Sequence, residues 1–185
     1  MKIFLFSVIT FYILLASFTA TAETILFIGD SVMAGIPKYY IRQKFNMYSS
    51  ILIDTKVCRK MTTPGCFHGK PESALNVLSK YDADTIVIMI GHNDERNKSF
   101  THKIKLLMDR IEGNKVVYWL TMREVSNTYR NANAILKSEA KNNKKIRILD
   151  WAYFSRNETS WFTKDGTHLN KNGGKKMANF ILETL

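Results

Sequence analysis

Apolar residues along this chain gather in short unbroken runs rather than in alternation. Thr24 to Ile28 forms one run, closed by Gly29. Ser50 to Val57 contains Ile51-Leu52-Ile53, and Thr85 to Ile90 reads Ile-Val-Ile-Met-Ile without a polar break. Lys115 to Leu120 and Ile146 to Leu149 complete the set. Runs of this length predict strands, and the lack of alternation predicts strands covered on both faces, as in parallel sheets. Helical spacing fills the gaps. Tyr39 to Phe45 forms a weak helical pattern, and Pro71 stands at a first helical position ahead of Ala74, Leu75 and Leu78. Thr101 is placed to cap a helix carrying Ile104, Leu107, Met108 and Ile111 on one stripe. Ser126 is placed to cap one running to about Asn142, with Tyr129, Ala132, Ile135 and Leu136 inward. Asn172-Gly173-Gly174 precedes a last helix with Met177, Phe180, Ile181 and Leu185 on one face. Strand and helix alternating in this way predict an open α/β sheet with right-handed crossovers. Chemistry in such a sheet sits at the carboxyl ends of the strands.

Residues 1–22 differ from the rest. Lys2 precedes an almost wholly apolar stretch from Ile3 to Phe18, then Ala20-Thr21-Ala22. A basic start, an apolar run and a small-x-small triplet read as a secretory signal cleaved before Glu23, with an uncleaved anchor as the alternative. The domain then spans 23–185. The chain has 185 residues, 45% apolar and 23% charged, an ordinary globular composition that excludes disordered and collagen-like classes. Its net charge is +11, in local groups such as Lys141, Lys144 and Lys145 or Lys175 and Lys176. These read as solvated helix faces or as attraction to anionic envelope polymers. No nucleic-acid motif is present, and an exported chain is a poor nucleic-acid binder. The two cysteines, Cys58 and Cys66, are free to bond in an oxidising compartment or to remain thiols.

Three short motifs fall at the strand ends. Gly29-Asp30-Ser31 follows the first strand, Gly91-His92-Asn93-Asp94 follows the third, and Asp165-Gly166-Thr167-His168 precedes the last helix. Singly each has a plain structural alternative: a helix cap, a turn, a surface histidine. Jointly they supply a serine nucleophile, a base to deprotonate it and a carboxylate to orient the base. Ser31, His168 and Asp165 take those roles. The Ser31 N–H, the Asn93 amide and a donor from the loop near Cys58 would hold the oxyanion. Candidate substrate contacts are Asp30, Arg59 and Trp161. Arg59 could equally be solvated, and Trp161-Phe162 could equally be core. His68, His92 and His102 read as ordinary histidines.

These motifs resemble the blocks of the SGNH hydrolases, the GDSL-type esterases, over nearly the whole of 23–185. The resemblance implies a three-layer α/β/α sandwich with a flavodoxin-like parallel five-stranded sheet, and a serine esterase that needs no cofactor and no metal. A narrower likeness joins Ile28-Gly29-Asp30-Ser31-Val32-Met33, Asp54-Thr55-Lys56-Val57-Cys58-Arg59, Asp150-Trp151 and Asp165-Gly166-Thr167-His168-Leu169. It points to the extracytoplasmic SGNH domains of bacterial peptidoglycan O-acetyltransferases. The implied partner is an acyl ester, small or on an envelope carbohydrate, handled by a monomer in the periplasm or outside the cell. A lipid acyl ester and a non-catalytic glycan-binding module are the alternatives. One departure stands out: the family's second block carries glycine where this chain has Cys58. A backbone N–H survives the exchange, but a β-carbon disfavours positive φ. Gly65 or Gly69 would then be substitute donors, and a Cys58–Cys66 bond would hold the loop.

Overall fold

The computed structural model describes residues 23–66 and 70–185; residues 1–22, on which the expected signal and its cleavage site fall, lie outside them. Five strands form one parallel sheet: β1 (Thr24–Gly29), β2 (Ser50–Thr55), β3 (Thr85–Met89), β4 (Val116–Leu120) and β5 (Ile146–Leu149), in the order β2-β1-β3-β4-β5. Seven helices lie among them: α1 (Ser31–Ala34), α2 (Lys38–Lys44), α3 (Ala74–Leu78), α4 (Ser99–Arg110), α5 (Asn127–Asn142), α6 (Trp151–Phe154) and α7 (Lys171–Thr184). The expected three-layer sandwich with a flavodoxin-like five-stranded sheet is what the chain forms.

The unbroken apolar runs are explained by the two-residue period of a strand, which deals neighbouring side chains to opposite faces. Leu26, Ile28, Ile86, Ile88, Val117 and Trp119 enter one core with α3, α4 and α5. Ile25, Phe27, Val87, Met89, Tyr118 and Leu120 enter a second core with α1, α2 and α7. At the edge of the sheet β2 is only half-buried.

Helix starts differ from expectation where a side-chain oxygen competes with a cruder signal. Pro71 is not a first helical residue: α3 begins at Ala74, because Ser73 Oγ accepts from Asn76 N at 3.3 Å. Thr101 lies inside α4, not at its cap; Asn97 Oδ1 meets Ser99 N at 2.9 Å and opens the helix there. Asn170 caps α7 through Asn172 N and Gly173 N, so the two glycines belong to its first turn. Gly173 is required there, since a β-carbon would sit 1.9 Å from the Trp161 carbonyl.

The chain leaves β1 for one edge (β2), then returns past β1 to β3. That reversal places the switch point of the sheet between the carboxyl ends of β1 and β3. The loops carrying Ser31 and Asn93 diverge from it.

Candidate active site

The turn carrying Ser31 follows β1 directly. Asp30 is fully buried and its Oδ1 accepts from Val32 N at 3.0 Å, which caps α1 and makes Ser31 its first residue. A first helical residue has no intrahelical acceptor for its N–H. Gly29 permits the turn: a β-carbon there would lie 2.4 Å from Met33 Cβ and 2.8 Å from Met89 O.

The acid–base loop is tied upon itself. Thr163 N donates to His168 O at 2.8 Å, and Gly166 N to Thr163 O at 2.9 Å. Asp165 Oδ1 accepts from Thr167 N (2.8 Å), His168 N (2.9 Å) and Thr163 Oγ1 (2.9 Å). Its other oxygen is left for His168 Nδ1, 2.6 Å away. His168 Nε2 then stands 2.9 Å from Ser31 Oγ. If Nδ1–H donates to the carboxylate, Nε2 is the bare nitrogen, facing the Ser31 hydroxyl. Burial would by itself raise the Asp165 carboxyl, but the His168 hydrogen bond, the two amides and the Thr163 hydroxyl hold it well below the usual carboxylate range. The pair stays open to solvent, with side chains 47% (His168) and 51% (Asp165) exposed.

Arg123, at the carboxyl end of β4, supports this loop and escaped the sequence reading. Its guanidinium donates to Gly166 O at 2.7 Å and lies 4.1 Å over the Phe162 ring. The only signal was a lone Arg three residues past a strand, which carries no spacing.

The second-block loop lies between the first and third blocks. Lys56 N donates to Gly29 O at 3.1 Å, Asn93 Nδ2 to Arg59 O at 3.1 Å, and Met61 N to Asp94 Oδ2 at 3.0 Å. Cys58 is buried and adopts φ +63°, the conformation a glycine would take freely. It is bonded to Cys66, with Cα atoms 5.6 Å apart. The loop therefore keeps the glycine geometry without the glycine, and Cys66 N also points at Cys58 Sγ at 3.0 Å. Gly65 is no substitute donor, because its N–H is committed to Pro71 O at 2.9 Å. Gly69, like His68, falls outside the described residues.

Of the three candidate substrate contacts, Arg59 and Asp30 are buried and Trp161 is half-buried. Arg59 is 1% exposed and so is not solvated. Its guanidinium meets Asp54 Oδ1 at 2.6 Å, Glu72 O at 2.9 Å, and the Asp54 carbonyl. It clamps β2 to the lead into α3. Asp30 is likewise internal: its Oδ2 meets His92 Nδ1 at 2.9 Å and His92 N at 3.3 Å. His92 is thus no ordinary histidine but a buried tie between the first and third blocks. Trp161 is half-buried, stacked on Trp151 with centroids 5.8 Å apart and tilted against Phe154, which makes it part of an aromatic cluster. Asp94 completes the third block. Burial raises its pKa, against the opposing pull of Met61 N–H and the Lys103 ammonium 3.2 Å away.

The fold recurs in known proteins. No family model matches the chain. It is 29% identical over 163 residues to a Staphylococcus aureus (strain COL) protein provisionally named O-acetyltransferase SACOL0978; the match takes in 86% of this chain and 24% of that protein. The chain thus spans about a quarter of that relative's length. Among solved structures, the C-terminal catalytic domain of Streptococcus pneumoniae peptidoglycan O-acetyltransferase A superposes with a TM-score of 0.69 at 18% identity, covering 88% of this chain and 92% of that one. A G-D-S-L family lipolytic protein from Veillonella parvula gives 0.61 at 17%, covering 88% and 97%. The fold is that of the SGNH hydrolases.

Proposed function

We propose that the protein is an exported SGNH-type serine esterase or O-acyltransferase, acting on a short acyl ester, acetyl above all, of a cell-envelope carbohydrate. The observation that carries this reading is the continuous hydrogen-bond chain from Ser31 Oγ through His168 to Asp165, 2.9 and 2.6 Å per link. Ser31 Oγ attacks the acyl carbonyl while His168 Nε2 takes its proton. Asp165 holds the imidazole in the tautomer that can do so and stabilises the imidazolium. The oxyanion is met by the N–H of Ser31, the N–H of Cys58 and the Asn93 side-chain amide. Return of the proton from His168 to the sugar oxygen expels the alcohol and leaves an acyl group on Ser31. Water releases it in hydrolysis; a second sugar hydroxyl releases it in transfer. The solvent-open triad admits either acceptor. Support for the carbohydrate and for acetyl comes from the relatives, one a peptidoglycan O-acetyltransferase by name.

Hydrolysis of p-nitrophenyl acetate, butyrate and octanoate tests this. Turnover should fall at least about a thousandfold in Ser31→Ala, and acetate should be favoured over octanoate. An octanoate preference would shift the reading to lipid esters. Equal rates in wild type and Ser31→Ala would overturn the serine mechanism.

A further inference from the structure

Beside the catalytic loop lies a cavity of about 500 Å³, outside the triad itself. Its walls come from the segments after β4 and β5, at the carboxyl end of the sheet, where Ser31 also stands. The size suits a small-molecule subsite. Four cations line it, Arg123, Arg130, Lys137 and Arg156, against two carboxylates, Glu124 and Asp150. Both carboxylates are already spoken for. Glu124 pairs with Arg130 at 3.3 Å and Asp150 with Lys137 at 2.6 Å. Asp150 is further fixed by Thr121 Oγ1 at 2.9 Å, and these contacts lower its pKa against the effect of burial. Arg123 and Arg156 are left without a carboxylate among the described residues. Arg123 has only Gly166 O and the Phe162 ring, and Arg156 only Tyr153 O at 2.6 Å and the Tyr153 ring at 3.8 Å.

Two uncompensated guanidinium forks on one cavity call for an anion. Four cations against two paired carboxylates leave the cavity positive, and the planar guanidinium fork matches a carboxylate in bidentate geometry. Arg123 also ties the cavity to the neighbouring loop: an N–H of its guanidinium donates to the Gly166 carbonyl of the loop carrying Asp165 and His168. We infer that this cavity is a subsite for a carboxylate-bearing sugar unit of the polymer whose ester, on the reading above, reaches Ser31. Specificity for an acidic glycan then lies in the loops after β4 and β5, while the chemistry lies in those after β1, β2 and β3 and in the Asp165 loop.

Binding to the full-chain Ser31→Ala protein tests the subsite independently of any turnover. The probe is tetragalacturonate, with neutral chitotetraose as control and inorganic phosphate as a third arm. Expected are chemical-shift changes in residues 123–125 and 150–156 with the uronate tetramer, at concentrations where the neutral tetramer gives none. Arg156→Gln, at an exposed position, should raise the Kd for the uronate about tenfold, the loss of one charge-assisted hydrogen bond. Equal binding of the charged and neutral tetramers, shifts confined to other surfaces, or an unchanged Kd in Arg156→Gln would each overturn the inference. Phosphate binding more tightly than the uronate would overturn the assignment to carboxylate. Absence of ester turnover in the wild-type protein would defeat the esterase reading alone, since binding is read without it.

Discussion

Asp165 is held by four hydrogen bonds, three on one oxygen and the imidazole on the other. That arrangement has a consequence for stability. A carboxyl held low when folded binds fewer protons there than in the unfolded chain, where aspartate titrates near about 3.9. The stability it contributes is complete above that value and drains away as pH falls towards the lower folded value. The gap in urea midpoint between wild type and Asp165→Asn should therefore be widest at neutral pH and close progressively below about pH 4. A gap constant down to strong acid would contradict the assignment. At this scale the sequence was informative about the chemistry-bearing residues and poor about their neighbours. Ser31, Asp165 and His168 stand in short motifs whose order matters. Arg59 stands next to Cys58 and His92 next to Asn93, yet burial turns both inward, and burial is a property of the packed chain.

Among the elements, the turns decide the site. Gly29 sits where β1 meets α1, and a β-carbon has nowhere to go between Met33 and the Met89 carbonyl. Gly29→Ala should cost about 1–3 kcal/mol by overpacking and lower activity with it, read by urea unfolding beside ester turnover. A fully stable, fully active variant would mean the turn can relax. The loop after β2 is a different device. There a cysteine occupies a positive-φ position, and its bond to Cys66 closes a short loop with a sequence separation of 8. Cys66→Ser should lose about 2 kcal/mol of stability by the chain-entropy account. It should also lower kcat more than KM, because a Cys58 N–H that drifts stabilises the oxyanion less while ground-state binding persists. Equal kcat with intact stability would leave the bond without a role in the reaction. Strand positions were legible in advance because a buried strand writes an unbroken apolar run. Helix starts were less so, because Ser73 and Asn97 act through local side-chain hydrogen bonds that no periodicity reports.

For the whole molecule, the arrangement of strands matters more than any one strand. Only the order β2-β1-β3-β4-β5 brings the loops after β1, β2 and β3 together and sets the 123–125 and 150–156 segments beside the catalytic loop. The described body has no helix long and apolar enough to cross a membrane. If residues 1–22 are a cleaved signal, protein recovered from the envelope or medium of its host should begin at Glu23, as N-terminal sequencing would show. Recovery of a chain that retains residues 1–22 would favour the anchor instead. The amino-acid pattern by itself determined the class of fold, the strand segments and the candidate triad residues, because burial on both faces and an ordered set of short motifs are local in the chain. Tertiary structure alone decided that Cys58 is bonded to Cys66 in a glycine's conformation, that Arg59 and Asp30 are internal ties, and that Arg123 and Arg156 share a cavity. Each of these depends on residues distant in sequence meeting in space, and on which polar groups are left unmatched once they have met.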